Sequence, residues 1–169
     1  LQFAELVGQR YGYQNLFLVC FDSSAAMLSE AKRYFDESSI PNVTFVLGDA
    51  NKLNNISGQF DAVMSTNAIH HCDAYQFIKR AKEVLKVDGY LFIYTRLMEQ
   101  NRRTVWGRYF PKFAERETRL FVRGELEDII AAQPGLCMQS VHEFAFPRVS
   151  TLEALELKAK KQHYSTFCF

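Results

Sequence analysis

The sequence predicts an α/β fold, a doubly wound and mostly parallel open sheet with helices on both faces. Two observations carry this. Apolar runs of strand length alternate with helix-spaced apolar sets over the first hundred residues. Those runs also stop at polar residues, Asp22, Asp49 and Thr66, and in an open parallel sheet ligands bind outside such carboxyl ends.

Each element has its own warrant. Phe3, Leu6, Val7 and Tyr11 share one helical face, in a helix expected to begin upstream of residue 1. Residues 12–15 form a turn opened by Gly12. The run Leu16-Phe17-Leu18-Val19-Cys20-Phe21 is continuously apolar, the pattern of a strand buried on both faces. Ser24 can cap the next helix, whose apolar set is Met27, Leu28, Ala31, Tyr34 and Phe35. Pro41-Asn42 breaks the chain before a second strand, 43–47. A polar turn over 54–58 leads to a third strand, 60–65. Asp73 with Gln76 resembles a capping box for a helix with Phe77, Ile78, Ala81, Val84 and Leu85 on one face. Asp88-Gly89 then turns the chain into a fourth strand, 90–95.

The second half is less regular. Residues 99–113 are polar and aromatic, with Trp106, Tyr109, Phe110 and Pro111 close together. A helix is expected over 124–132, stopped by Pro134-Gly135, and a strand over 136–146. Ser150 with Glu153 forms a second capping box for a helix through Lys161. No repeat, linker or low-complexity stretch appears.

Composition narrows the function classes. The 169 residues suit one domain, and 48% hydrophobic with 23% charged residues is globular usage. A net charge of +1 gives no reason to expect a nucleic-acid partner, and Arg102, Arg103 and Arg108 read as a solvated helix face. No apolar run has the length of a membrane span, and the N-terminus shows no signal peptide. Cys20, Cys72, Cys137 and Cys168 lack metal-ligand spacing, so no metal site is expected; Cys20 reads as a small core residue. The default compartment is the cytoplasm. No oligomeric state is implied.

The candidate chemistry lies at the strand ends. A carboxylate at Asp22 can accept from both hydroxyls of a ribose, and Asp49 can accept from an exocyclic amine while the Ala50 N–H donates to a ring nitrogen. Two acids at adjacent strand ends suit a nucleoside reader, although Asp is also an ordinary turn residue.

Four segments carry a family resemblance. Phe21-Asp22-Ser23-Ser24-Ala25-Ala26-Met27-Leu28 resembles the D-x-S-x-x-M-L stretch after the second strand of class I S-adenosylmethionine-dependent methyltransferases. Gly48-Asp49-Ala50 resembles their G-D-A after the third strand. Phe60-Asp61-Ala62-Val63 with Ala68-Ile69-His70-His71 resembles F-D-x-V…L-H-H, and Leu85-Lys86-Val87-Asp88-Gly89-Tyr90-Leu91 resembles L-K-P-G-G-x-L, with Val87 in place of Pro. The resemblance spans about residues 16–95 and is nearest to the small-molecule "type 11" branch.

It implies a Rossmann-like fold lacking the first strand, with S-adenosyl-L-methionine as cofactor. Asp22 would hold the ribose hydroxyls, Ser23 and Met27 would flank the adenine, Asp49 and Ala50 would read its edge, and Asn67 would lie near the methionine part. His70 and His71 would face the methyl-transfer side. The family's glycine-rich loop would lie before residue 1, so the chain reads as a truncated single domain over 1–169. Its cofactor-binding core would be 1–98 and its substrate-side region 99–169.

Methyl transfer from a sulfonium needs alignment above all, and a base only where the acceptor must lose a proton. His71 is the first candidate for that base and His70 the second; a cap or packing role for either is the competing reading. His142 and His163 show no partner pattern. Ser65-Thr66-Asn67-Ala68 stands where base-amino methyltransferases carry their N/D/S-P-P-aromatic motif, which argues against that class. The cluster around Trp106, with Tyr164 and Phe167, is a candidate roof for an apolar acceptor pocket, with core packing or a dimer contact equally open. Two alternatives remain: a non-catalytic methyltransferase-like subunit, and a nicotinamide-dependent oxidoreductase, in which the Ala68–His71 segment has no place.

Overall fold

The computed structural model describes residues 2–53, 56–110, 112–147 and 149–161. Contacts divide the chain into two compact units, Leu1–Val63 with Tyr75–Phe92, and Met64–Ala74 with Ile93–Phe169.

The first unit opens with α1 (Gln2–Tyr11), and Gly12 at φ 87° leads into a single 3-10 turn over Tyr13–Asn15. Next come β1 (Leu18–Asp22), α2 (Ala25–Glu37) and β2 (Val43–Leu47). Ser24 caps α2 as expected, its hydroxyl accepting from the Met27 N–H. β1 pairs with β2 in parallel, Leu18 opposite Val43 through Asp22 opposite Leu47. This βαβ unit needs a helix to cross from one strand to the next, and the alternating apolar patterns supply it.

The core of this unit forms where α1 and α2 meet one face of the strands. Ala4, Phe35 and Ile40 are buried, with Tyr13, Leu18, Cys20, Tyr34, Val43 and Phe45 packed against them. Phe35 meets Phe45 edge-on, with ring centroids 6.1 Å apart. Burying a side chain of this size contributes roughly 1.5–3 kcal/mol. Cys20 takes the expected core place, where burial raises its thiol pKa. The run 16–21 is not buried on both faces, however: Leu18 and Cys20 point into the cluster while Val19 is 37% exposed and Phe17 75% exposed. A continuous apolar run records hydrophobicity without recording which neighbours cover it.

β3 (Phe60–Thr66) and β4 (Leu85–Tyr94) form a second strand pair, joined in sequence through α3 (Ala74–Val84). β4 begins earlier than the expected 90. Leu85 follows directly on the helix, and Asp88 makes the turn as one left-handed residue, φ 64°, inside the strand. Asp tolerates that conformation at modest cost, so the ladder bends without breaking. The Lys86 ammonium already reaches Asp61 of β3 at 2.7 Å. Gly89 suits a close approach: a Cβ there would lie 3.1 Å from the Phe60 carbonyl oxygen and 3.0 Å from that of Lys86, tighter than ordinary contact.

The second unit also holds α4 (Met98–Asn101), α5 (Val105–Tyr109), α6 (Phe113–Arg116), α7 (Arg123–Ala131) and α8 (Leu152–Lys160). Trp106 and Phe113 are its buried centre, packed with Phe110, Leu155 and Ala159. Trp106 is therefore core, and the acceptor-roof reading does not hold for it; Pro111, Tyr164 and Phe167 lie outside the described residues. Arg102, Arg103 and Arg108 are exposed, as a solvated face would be.

Two expectations are corrected. Residues 136–146 form no strand: among the described residues the segment takes no ladder partner. Its alternating pattern is real, since His142, Phe144 and Phe146 stack in turn at 6.4 and 6.3 Å. Glu143, on the alternate position, pairs with Arg103 at 3.1 Å and Arg123 at 3.6 Å. The cap of α8 is Thr151, not Ser150; its hydroxyl accepts from the Ala154 N–H at 3.2 Å. Among the described residues no helix is long and apolar enough to cross a membrane.

Candidate functional site

In the first unit the parallel register brings two predicted residues to one edge. Asp22 ends β1 opposite Leu47, and the Gly48 N–H donates to the Asp22 carbonyl at 3.0 Å, which leaves Asp49 just past the end of β2. Asp22 is half-buried. Its Oδ1 accepts the Ser24 N–H at 2.8 Å, and its other carboxylate oxygen takes no hydrogen bond among the described residues. Ser23 is exposed beside it, and Met27, in the first turn of α2, is 59% exposed.

Asp49 is exposed and holds its own turn, its Oδ1 accepting from the Asn51 N–H at 2.9 Å and its carbonyl from the Lys52 N–H at 2.9 Å. Lys52 stands 3.9 Å from its Oδ2. Ala50 is half-buried at the same bend. The edge thus presents a carboxylate with spare acceptor capacity, a second carboxylate and an exposed thioether.

The second unit holds the remaining predicted residues. Asn67 follows β3 in the left-handed region, φ 51°, with its N–H bonded to the Tyr94 carbonyl at 2.7 Å. Asn is one of the few residue types that accept this backbone readily. A 3-10 turn over Ile69–His71 follows, and fully buried Ile69 anchors it. His70 is half-buried and His71 exposed, with ring centroids 4.1 Å apart.

Burial, the neighbouring His71 and the cations Arg119 and Arg96 lower the His70 pKa; Glu117 opposes them. Its Nδ1 is buried and finds no hydrogen-bond partner among the described residues. His142 is exposed, and His163 lies outside the described residues.

Sequence reasoning missed Glu117 and Arg119. Arg119 donates from Nε and Nη2 to the two oxygens of Glu117, at 2.8 and 2.6 Å, and its Nη1 lies 3.4 Å from His71 Nδ1. In sequence, Glu115-Arg116-Glu117-Thr118-Arg119 reads as a solvated charge run, and only the fold reveals that Glu117 is buried. Nearby, Arg96 donates to the Oδ1 of buried Asn101 at 3.3 Å.

In an open α/β sheet ligands bind outside the carboxyl ends of the parallel strands, which is where Asp22 and Asp49 stand. The family is specific: the model of the methyltransferase domain matches residues 2–89, and the chain belongs to that family. Two solved structures share the fold. One is the YcgJ protein of Bacillus subtilis, 20% identical with a TM-score of 0.53, the match covering 68% of this chain and 50% of that one. The other is a candidate methyltransferase from Bacillus halodurans C-125, 23% identical with a TM-score of 0.53, covering 67% of this chain and 50% of that one. The match therefore spans about half the length of each structure. No curated protein matches.

The fold is accordingly Rossmann-like, and its elements here begin at a helix rather than at the fold's first strand. Tyr75 and Lys79 on α3 do stand at the Tyr-x-x-x-Lys spacing of short-chain dehydrogenases. Membership of the methyltransferase family sets the oxidoreductase reading aside.

Proposed function

We propose that this chain is the core of a cytoplasmic S-adenosylmethionine-dependent methyltransferase acting on a small-molecule acceptor. The observation that carries the reading is the pair of acids at the β1–β2 edge, with Asp22 keeping one carboxylate oxygen for a ligand. The residues present fit the cofactor. Asp22 would accept from ribose hydroxyls, Ser23 and Met27 would flank the adenine, and Asp49 with the Ala50 N–H would meet its edge. By the family resemblance, Asn67 would lie near the methionine part.

When bound, the cofactor supplies a methyl group activated on a sulfonium. The protein's share is to orient the acceptor in line and keep water away. His70 and His71 are the titratable groups proposed for the acceptor side, and no nucleic acid or membrane enters the reading. A cytoplasmic setting suits Cys20, held as a thiol in the core.

Calorimetric titration of S-adenosylhomocysteine tests the proposal. Saturable binding supports it, and Asp22→Ala should lose roughly 1–3 kcal/mol of that affinity. Failure of both S-adenosylmethionine and S-adenosylhomocysteine to bind would sink it. Binding with no turnover on any acceptor would favour the regulatory-subunit reading.

A further inference from the structure

A guanidinium donates hydrogen bonds and accepts none. That fixes the sense of the Arg119–His71 contact: at 3.4 Å from Arg119 Nη1, His71 Nδ1 is the accepting atom, its lone pair directed at the arginine. A neutral imidazole that accepts at Nδ1 carries its proton on Nε2.

Arg119 is itself held from behind by the two-pronged carboxylate bond to Glu117, the geometry that fixes a guanidinium plane best. Glu117 is 7% exposed, and its backbone N–H donates to the Phe113 carbonyl at 3.2 Å. Phe113 belongs to the Trp106 core. The order runs from core to carboxylate to guanidinium to imidazole, and it ends at an exposed ring.

We propose that Glu117 and Arg119 are positioning residues that set His71 as an Nε2–H hydrogen-bond donor, so that the acceptor taken here presents an oxygen or nitrogen lone pair to that N–H. The clamp is independent of the methyltransferase reading; only the identity of what it faces rests on that reading. A donor at this place orients a nucleophile without removing its proton. An acceptor that must be deprotonated would then rely on His70, whose pKa burial lowers.

Diethyl pyrocarbonate tests the clamp, because it acylates the lone-pair nitrogen of neutral imidazoles and peptide mass spectrometry reads each histidine separately. In the unmodified protein His71 should react roughly fivefold more slowly than exposed His142, the factor that one net hydrogen bond imposes. Arg119→Met keeps the aliphatic stem and removes the donors, and should raise the His71 rate to that of His142. Arg119→Lys should restore part of the protection.

Should the variants fail to fold, nitrogen-15 NMR of the histidine-labelled native protein decides: a pyridine-like Nδ1 and a pyrrole-like Nε2 at His71 are expected. A His71 rate equal to that of His142 in the native protein, or a pyrrole-like Nδ1, overturns the proposal. Neither readout needs a cofactor. A protected His71 beside a failed S-adenosylhomocysteine titration sinks the functional reading alone, and the reverse pattern sinks the clamp alone.

Discussion

At Asp22 one carboxylate oxygen, Oδ1, closes the turn onto the Ser24 N–H, and the other is the one proposed to meet a ligand. Asp22→Asn separates them, because the amide oxygen still serves the turn. We expect it to weaken S-adenosylhomocysteine binding by about 1–2 kcal/mol while thermal unfolding moves little, with calorimetry and a melting curve as the checks. His70 makes a pH prediction. Its pKa is lowered in the fold, so the unfolded chain binds the extra proton first. Its contribution to stability is complete above the unfolded value near 6.5 and is lost as pH falls from there through the lower folded value. His71, Arg119 and Arg96 reinforce this, and Glu117 opposes it. Melting temperature followed from about pH 7.5 to about pH 5 should fall, and His70→Gln should flatten the slope. Asp22 and Asp49 were legible because a short local motif fixes both the residue and its place at a strand end. The Glu117–Arg119 pair was not, since nothing local distinguishes a buried acid from a solvated one.

The helix caps separate local from nonlocal information. Ser24 is legible in sequence, and Ser24→Ala should cost about 1 kcal/mol of α2 stability, seen as faster amide exchange in its first turn. At α8 the sequence offers two adjacent hydroxyls and a glutamate that suits either. The structure selects Thr151, so Thr151→Ala should cost about 1 kcal/mol and Ser150→Ala almost nothing, measured by the same exchange. The β1–α2–β2 run could be read in order because each apolar pattern, cap and break is local. Residues 136–146 could not, since alternation prescribes an extended backbone but a strand also needs a partner edge. The early start of β4 was hidden for the same reason: Asp88-Gly89 signals a turn, while the pairing with β3 that carries the strand through it is invisible in sequence.

At the scale of the molecule, one buried cluster among the described residues gathers around Phe35 and another around Trp106. Composition pointed to a single domain, but amounts of apolar residue do not say where they gather. Trp106 is the only tryptophan, so its fluorescence reports on the second core alone. Phe113→Ala should remove roughly 3–5 kcal/mol there and shift Trp106 emission to the red at a lower denaturant concentration. An unchanged Trp106 transition would mean that Phe113 adds little to that core.

The exposed stretch around Phe144 and Phe146, unpaired to any strand among the described residues, has a practical consequence. Endopeptidases grip their substrates as extended chain, and folded proteins are nicked first where such chain lies open. With 63% and 67% of these rings exposed, brief chymotrypsin treatment should cut here before it reaches any residue of β1–β4. The cut would leave α8 held through Leu155 and Ala159 against Trp106 and Phe113. Whether the released peptide washes away on a sizing column then measures how firmly that last helix grips the body.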